Sequence, residues 1–481
     1  MKNKYSLFSF IALLTSIIIL AFGVNVKAEE KTYTIGTDLT FAPFEYQNSS
    51  GTYIGIDVDL INAIAKDQGF KVDLKPLGFD SAVQAVQSKQ VDGMVAGMSI
   101  TDERKKSFDF SDPYFDSGIS MAVKKGNTSI KRYDDLKGKT VAAKVGTESA
   151  AFLEKNQKKY GYTIKNFDDA TGLYKSLENG ETVAIFDDYP VLGYAITNGQ
   201  ALELVGEKET GSAYGFAVKK GQNQELLEKF NTGLKNLKTS GEYDKIINKY
   251  ISSGKDTSTE ETAVDETSFA GMIKNNWKSL LNGLWMTIKL TLISFILALI
   301  IGIIIGLFSV SPSKALRIIA TIYVDIIRGI PLMVLAFFIY FGMPGILGFN
   351  IPVFLAGIIT LTLNSSAYLS EIVRGGINAV PVGQMEASRS LGLSYHRAMQ
   401  KIILPQAIKI MIPSFVNQFV ISLKDTTILS AIGLIELLQA GKIIVARNLQ
   451  STMVYFTIAL IYLILITALT KLAKVLEKKV N

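Results

Sequence analysis

Residues 284–309 read LWMTIKLTLISFILALIIGIIIGLFS, and this stretch decides the class of the chain. It contains one charged residue, Lys289. A helix needs about 20 mainly apolar residues to cross a bilayer. Comparable apolar stretches follow at about 318–343, 353–370, 402–423 and 453–470. The sequence therefore predicts an all-α membrane domain over residues 275–475, with about five transmembrane helices.

Residues 31–251 have a polar, soluble composition and alternate between strand and helix patterns. In Asp57–Gln68 the apolar residues recur at helical spacing, and Thr140–Lys144 has the pattern of a short strand. Alternation of this kind predicts an α/β domain that binds ligands at the carboxyl ends of its strands. The letters AVKKG occur at 122–126 and again at 217–221, which suits two crossovers between two lobes.

The segments on either side of the α/β domain have distinct compositions. Residues 1–28 contain Lys2 and Lys4, an apolar run and a closing Ala28, which is the pattern of a signal peptide. An uncleaved anchor helix is the alternative, and in both cases the α/β domain is expected outside the cytoplasm. Residues 252–270 are rich in Ser, Thr, Glu and Asp and predict a flexible linker.

Loop charges predict the orientation of the membrane domain. The loops 310–317 and 371–401 and the tail 471–479 are basic and are expected in the cytoplasm, whereas 341–352 is uncharged. Five spans then place the α/β domain outside the plasma membrane and the C-terminus inside. Three basic residues on the predicted outer side indicate a short re-entrant or interfacial helix there: Lys424, Lys442 and Arg447.

Composition excludes several classes of function. The 481 residues include no cysteine and one histidine, His396, which rules out disulfides, thiol catalysis and histidine-based metal centres. The net charge is +7, but the basic residues do not form one face, so no nucleic-acid partner is expected. The chain has no phosphate-binding loop of the GxxxxGK[ST] type, so we expect no ATP hydrolysis, cofactor or metal in this chain.

Four motifs in register resemble the polar-amino-acid binding proteins of bacterial ATP-driven importers. They are TDLTFAPFE at 37–45, GIDVDL at 55–60, ITDER at 100–104 and FSDPY at 110–114. The resemblance covers about residues 33–250. It implies a two-lobed, type II periplasmic-binding-protein-like fold, with lobe 1 formed by 31–121 and 216–251 and lobe 2 by 122–215.

The same resemblance implies a site for a free amino acid. Arg104 matches the arginine that clamps the α-carboxylate, and Asp188 matches the carboxylate that takes the α-ammonium. A bidentate guanidinium suits a carboxylate, which agrees with these roles. The other residues that the resemblance places around the ligand are Asp38, Phe41, Phe79, Gly97, Ser99, Lys144 and Thr147.

The resemblance implies glutamine as the substrate, with glutamate and basic amino acids such as arginine as alternatives. Asp38 and Lys144 match residues near the ligand side chain in the glutamine-binding members, and a neutral amide can donate to one and accept from the other. Two positions depart from that pattern. Asp187 stands where those members have histidine, and Glu148 where they have glycine. Both add negative charge, which favours a cationic ligand over glutamate.

The membrane domain has its own signature. The letters EASRSLG at 386–392, followed by ILPQA at 403–407, resemble the cytoplasmic coupling loop of importer permeases. This implies that a separate ATPase subunit, which binds ATP and Mg²⁺, docks on the segment. The residues that carry the match are Glu386, Ala387, Ser388 and Gly392. The resemblance also implies that two copies of the chain pair around a central path.

Other classes of function fit less well. A ligand-gated channel can share the two-lobed fold, but a potassium-type filter sequence is missing from the chain. A sensor would need a cytoplasmic output domain, and an enzyme would need a nucleophile with a base. Polar residues within the spans, such as Asn364, Ser365 and Gln418, suit either a substrate passage or hydrogen bonds between helices.

Overall fold

The computed structural model describes residues 30–38, 40–48, 51–210, 213–251, 268–448 and 450–480. The predicted signal peptide and most of the predicted linker lie outside these described residues. The described part consists of an N-terminal α/β domain and a C-terminal helical domain. The predicted fold class is therefore confirmed.

The N-terminal domain is built from short strands and short helices. The strands are β1 Thr32–Thr37, β2 Thr40–Phe41, β3 Glu45–Gln47, β4 Tyr53–Ile54, β5 Lys71–Pro76, β6 Gly93–Met94, β7 Phe108–Phe110, β8 Gly118–Lys124, β9 Thr140–Lys144, β10 Thr163–Phe167, β11 Ala184–Asp188, β12 Leu202–Thr210 and β13 Ala217–Lys219. The helices are α1 Ile56–Gln68, α2 Phe79–Gln87, α3 Glu148–Tyr160, α4 Ala170–Glu178, α5 Tyr189–Thr197, α6 Gln224–Ser240 and α7 Glu242–Ile251, with 3₁₀ turns at Arg104–Lys106 and Tyr133–Leu136.

Two five-stranded sheets define two lobes. The strand order is β5-β1-β6-β13-β7 in lobe 1 and β10-β9-β11-β8-β12 in lobe 2, and β2, β3 and β4 form a small separate sheet. The chain crosses from lobe 1 to lobe 2 before β8 and returns before β13. The two AVKKG segments thus follow the two crossovers. Because the whole of β8 pairs with β11 and β12, lobe 2 starts at Gly118, whereas the predicted boundary follows residue 121.

The helices of the N-terminal domain bury the faces that their sequence spacing predicts. In α1 the residues Val58, Ile61 and Ala65 are buried, and the helix ends at Gly69 in the left-handed conformation. Ile61 and Ala65 join an aromatic-rich core that includes Phe44 and Phe230. This core fixes the positions of the strand ends in lobe 1.

The helical domain follows from residue 268. Its helices are α8 Phe269–Ser309, α9 Lys314–Gly329, α10 Leu332–Phe337, α11 Met343–Leu347, α12 Val353–Asn378, α13 Val382–Ser390, α14 Tyr395–Ala398, α15 Leu404–Asp425, α16 Leu437–Asn448 and α17 Ser451–Val480. Two π-helical segments, Phe338–Gly342 and Met399–Ile403, and a 3₁₀ segment, Thr426–Ile432, connect some of them. Four stretches are long and apolar enough to cross a membrane: Phe269–Ser309, Val353–Asn378, Tyr395–Ile432 and Ser451–Lys471.

The remaining predicted span, 318–343, is bent. α9 and the stretch Leu332–Leu347 meet at an angle of 98°. Ile330, between them, is extended, with φ −98° and ψ 125°. The residue before a proline avoids the helical conformation, and Pro331 has no N–H to continue the hydrogen-bond ladder. The apolar pattern predicts one continuous span here because hydropathy does not register this break.

The basic region on the predicted outer side contains α16, a helix of 12 residues. A helix of this length is too short to cross a bilayer, which needs about 20 residues. α16 packs against α8 and α17. The structure therefore contains a short, non-spanning helix where the loop charges predict one.

Several polar residues of the spans form hydrogen bonds between helices. The hydroxyl oxygens of Ser365 and Ser422 lie 2.7 Å apart, and those of Tyr323 and Ser366 lie 2.6 Å apart. Asn364 Nδ2 donates to Asp425 Oδ2 at 3.4 Å. These contacts give the serine and asparagine side chains of α12 partners that are not lipid.

The most extensive helix packing among the described residues of this domain is between α8 and α12. A Cβ atom added at Gly302 would lie 2.6 Å from Leu369 Cβ, and one added at Gly306 would lie 2.5 Å from Val373 Cβ. Two glycines four residues apart let the backbones approach, as in other membrane helix pairs. Gly302 and Gly306, which lie in the stretch 284–309, thus determine how closely α8 packs against α12.

Gly306→Ala is expected to destabilise the helical domain by about 1–3 kcal/mol, because the added methyl group overlaps Val373. Gly375→Ala on α12 is the matched control, since an added Cβ there has no atom within 4 Å. Unfolding of the detergent-solubilised chain would be followed by tryptophan fluorescence, because both tryptophans, Trp277 and Trp285, lie on α8. Equal stability of the two variants would contradict the packing argument.

Candidate functional site

The structure brings the predicted ligand residues together between the two lobes. They lie at the ends of strands and the beginnings of helices, where side chains from several elements converge. Lobe 1 contributes Asp38, Phe41, Phe79, Gly97, Ser99 and Arg104, and lobe 2 contributes Lys144, Thr147 and Asp188.

A buried ion pair joins the lobes. Lys144 Nζ lies 2.7 Å from Asp38 Oδ2, and the two side chains are 2% and 3% exposed. Asp38 Oδ1 also accepts hydrogen bonds from the amide and the hydroxyl of Thr40. Burial opposes ionisation of Asp38, but the Lys144 ammonium and these hydrogen bonds outweigh it and hold the pKa of Asp38 below its usual value. Both partners are therefore charged at neutral pH.

Aromatic rings surround the ammonium group of Lys144. Its Nζ lies 4.6 Å from the centroid of the Phe41 ring and 5.6 Å from that of Phe79. The guanidinium carbon of Arg104 lies 5.3 Å from the Phe79 ring. Cations at these distances are attracted to the negative faces of the rings. The two phenylalanines thus form apolar walls beside both cleft cations.

Arg104 makes a second link between the lobes. Its Nη1 donates to Ser99 O at 2.9 Å, and its Nη2 donates to Gly146 O of lobe 2 at 2.8 Å. Next to Gly146, Thr147 caps α3, and its hydroxyl accepts a hydrogen bond from the Ala150 amide. A capped helix N-terminus beside a guanidinium combines two features that attract a carboxylate.

Asp188 is buried on the lobe 2 side of the cleft. Its Oδ2 accepts a hydrogen bond from the Tyr214 hydroxyl at 2.5 Å. Burial is the main cause that raises the pKa of Asp188 to about 7, and the charge of the neighbouring Asp187 adds to the increase. Among the described residues, Asp187 Oδ2 has no hydrogen-bond partner. Two buried carboxyl groups therefore compete for ionisation at this end of the cleft.

Sequence reasoning assigned no role to two residues that support the cleft. Asp57 Oδ2 accepts hydrogen bonds from the Gly97 amide at 2.8 Å and from the Tyr114 hydroxyl at 2.7 Å. Asp57 belongs to the GIDVDL motif, so the motif could have indicated it. Tyr214 pairs with Ser99 through an antiparallel bridge, which brings its hydroxyl to Asp188. The sequence around Tyr214 carries no local signal for that contact.

Gly97 is required by both its conformation and its surroundings. Its φ is +53°, and an added Cβ atom would lie 2.3 Å from Cε1 of Phe41. A larger residue would be strained by the backbone and would displace the aromatic wall. The glycine therefore sets how closely the backbone approaches the Phe41 ring.

The predicted coupling segment forms an exposed helix, α13, in the helical domain. Glu386, Ala387 and Arg389 are exposed, whereas Ser388 is buried and its hydroxyl donates to Gln384 O at 2.6 Å. This hydrogen bond gives the buried serine hydroxyl a partner within its own helix. Gly392, with φ +86°, follows the helix in the left-handed conformation that ends many helices.

Comparison with known proteins agrees with this two-part architecture. Residues 33–253 match the family of bacterial extracellular solute-binding proteins, family 3. Residues 298–481 match the binding-protein-dependent transport system inner membrane component. A Rickettsia felis protein, named as a glutamine transport system permease protein, GlnP, is 38% identical over 200 residues, which are 42% of this chain and 92% of that protein.

The chain belongs to the binding-protein-dependent importers of amino acids.

Its N-terminal domain is similar to known solute-binding proteins and domains. The arginine-binding periplasmic protein of Mannheimia haemolytica is 34% identical over 241 residues, covering 49% of this chain and 98% of that protein. The crystal structure of Lactococcus lactis GlnP substrate binding domain 2 has 52% sequence identity, covers 47% of this chain and 98% of that chain, and has a TM-score of 0.38. The two family matches and the apolar helices show that the importer combines a solute-binding domain and a multi-pass permease in one polypeptide, as the motifs predicted.

Gly97→Ala is expected to destabilise the solute-binding domain by about 1–3 kcal/mol more than Gly126→Ala. Both glycines have a positive φ, but an added Cβ meets Phe41 only at Gly97 and has no atom within 4 Å at Gly126. Urea unfolding of the isolated segment 31–251, followed by circular dichroism, gives both free energies of unfolding. A Gly97→Ala variant no less stable than Gly126→Ala would show that the Phe41 ring moves aside without cost.

Proposed function

We propose that the cleft binds a zwitterionic amino acid, with glutamine as the preferred substrate, and that the permease domain carries it into the cell. Arg104 and the N-terminus of α3 bind the α-carboxylate, and Asp188 binds the α-ammonium. Phe41 and Phe79 enclose the side chain from two sides. These roles are supported by the opposite charges of Arg104 and Asp188, which are close enough to interact electrostatically.

The preference for glutamine is supported by the ion pair between Asp38 and Lys144. These residues present a carboxylate and an ammonium only 2.7 Å apart, so the local field is balanced. A side-chain amide can donate to Asp38 and accept from Lys144. A glutamate carboxylate would meet the charge of Asp38, and an arginine guanidinium would meet that of Lys144. Neither charged side chain is matched as well as the neutral amide.

Arginine is the second candidate. Among the described residues, one carboxylate oxygen of Asp187 has no hydrogen-bond partner, and a guanidinium could neutralise its negative charge. One similar protein is also named as arginine-binding. For arginine to bind in this way, its guanidinium would have to lie near the like charge of the Lys144 ammonium, which is paired with Asp38.

The energy source is proposed to be a separate ATPase subunit, which binds ATP and Mg²⁺ and docks on α13. Glu386, Arg389 and the turn at Gly392 are exposed for this contact. In this arrangement two copies of the permease pair around the substrate path. The solute-binding domain faces the outside of the plasma membrane, and the C-terminus lies in the cytoplasm.

Calorimetric titration of segment 31–251 with glutamine, glutamate, asparagine, arginine and histidine tests the substrate. Arg104→Lys is expected to weaken glutamine binding by about 10–100-fold, because lysine keeps the charge but loses the two-pronged contact. Asp188→Asn is expected to weaken binding by a similar factor, since the ligand ammonium loses its counter-charge. Arg132→Ala is the control, because that side chain is 75% exposed on the surface.

Tighter binding of arginine than of glutamine would favour the second candidate. Unchanged affinity in both the Arg104 and the Asp188 variants would contradict the assigned site even if glutamine binds. A folded domain that binds none of the five amino acids would contradict the proposed substrate class.

Glutamine binding is expected to weaken as pH falls below about 7. In the closed arrangement without ligand, the pKa of Asp188 is raised to about 7, so its carboxyl is mainly protonated at pH values well below 7. Binding of an ammonium requires the ionised form and must release the proton, so Kd rises by up to about tenfold per pH unit on the acid side. Above pH 7 the affinity is expected to be constant until the ligand ammonium itself titrates.

Titrations at pH 5.5, 6.5 and 7.5, in buffers of different ionisation enthalpy, measure both affinity and proton release. Asp187→Asn is the matched variant, because removal of the neighbouring charge lowers the pKa of Asp188 and moves the transition to lower pH. A pH profile that is the same in the parent and in Asp187→Asn would contradict the assignment to this carboxyl pair.

A further inference from the structure

Lobe 1 is attached to the permease domain by direct hydrogen bonds. Ser81 Oγ, on α2, donates to Ala431 O at 2.9 Å. Gln90, in the loop that follows α2, donates through Nε2 to Tyr340 O. Both acceptors are backbone carbonyls near the ends of membrane helices, so the contacts depend on the position of the permease backbone.

Apolar packing reinforces these hydrogen bonds. Leu77 covers Gly433, where an added Cβ would lie 2.2 Å from Leu77 Cδ2 and 3.1 Å from Pro76 O. Phe341 packs against the core cluster of lobe 1 that contains Leu77 and Phe79. We call the surface formed by Leu77, Ser81 and Gln90, with the permease segments 340–341 and 431–433, the seat.

Lobe 2 meets the permease less tightly. α4 contacts α16, but two cavities lie along this boundary, and the second is also lined by Thr40 and Tyr46 from the small sheet of lobe 1. One has a volume of about 420 Å³, the other about 180 Å³, and the permease residue Asn448 lines both. On the lobe 2 side, Tyr174 and Asn198 also line both. Close packing is the normal state of a fixed protein interface, so the cavities mark the side that can separate at lower cost.

Opening of the cleft must move one lobe relative to the permease. In this structure the lobes are closed on each other by the Asp38–Lys144 pair and by the contact of Arg104 with Gly146 O. Moving lobe 1 would break the hydrogen bonds of the seat and expose Leu77 and Phe341. Moving lobe 2 would enlarge cavities that already exist.

We propose that lobe 1 stays on the seat throughout the transport cycle and that lobe 2 swings away from the permease to open the cleft. This inference rests on the proposed function in one respect, namely that an amino acid closes the lobes. It implies that Arg104 and Phe79 remain above the permease while Lys144, Thr147 and Asp188 move. The α-ammonium site and the N-terminus of α3 would then leave the ligand, and Arg104 would remain in contact with its carboxylate.

The absence of cysteine from the chain allows a direct test by cross-linking. In the full chain, Ser81→Cys with Ala431→Cys reports the seat, and Asn198→Cys with Asn448→Cys reports the lobe 2 boundary. A short bis-maleimide joins each pair, and a protease site introduced within residues 252–267 separates the two domains unless they are cross-linked. Each single-cysteine variant is the control for non-specific linkage.

The seat pair is expected to cross-link at the same rate with and without saturating glutamine. The lobe 2 pair is expected to cross-link about fivefold more slowly without glutamine, because the open state is then more populated. After cross-linking, the seat-linked chain should bind glutamine within about twofold of the parent affinity, whereas the chain linked at lobe 2 in the presence of glutamine should release it about tenfold more slowly.

Two results would overturn the proposal. If removal of glutamine slows both pairs equally, the whole solute-binding domain leaves the permease. If it slows only the seat pair, lobe 1 is the moving lobe. A parent chain that does not bind glutamine would refute the proposed substrate instead. In that case, the cross-linking rates of the two cysteine pairs without ligand still test this inference. A seat pair that cross-links no faster than the lobe 2 pair would contradict it.

Discussion

The buried ion pair between Asp38 and Lys144 is the interaction on which the cleft depends. Each partner comes from a different lobe, and neither side chain has appreciable contact with water. Loss of one partner would leave a buried charge uncompensated, at a cost of about 3–5 kcal/mol. This one contact therefore both holds the two lobes in position relative to each other and balances the charges in the site.

The surroundings of this pair determine what the cleft can accept. Lys144 lies against the rings of Phe41 and Phe79, and Arg104 shares the Phe79 ring. The Asp57 carboxylate fixes the Gly97 backbone beneath Phe41. Asp187 and Asp188 bring two carboxyl groups into one buried region, which raises the pKa of Asp188 to about 7. The cleft thus combines cations held beside aromatic rings with buried acids that resist ionisation.

The helix α2 connects this cleft to the membrane. Phe79, at its first residue, forms a wall of the site, and Ser81, two residues later, contacts the permease. Within the permease, the glycines of α8 let α12 approach closely. The permease segments of the seat and the helix α13 therefore belong to one packed helical domain. Because both domains belong to one chain, the solute-binding domain keeps a defined position relative to the permease domain.

The sequence by itself determined the order of the domains, the apolar stretches of the membrane domain and the motifs that the cleft brings together, because hydropathy and short motifs are properties of neighbouring residues. The sequence predicted α1 from the helical spacing of its apolar residues. It predicted the short helix α16 from basic residues on the side of the membrane where few are expected. It did not show the bend before Pro331, where the apolar pattern continues through a backbone break. Only the tertiary structure decided that Tyr214 meets Asp188, that Asp57 holds Gly97 and that Leu77 covers Gly433. These partners lie far apart along the chain, and their contacts depend on sheet order and on the docking of one domain on another, which local sequence does not encode.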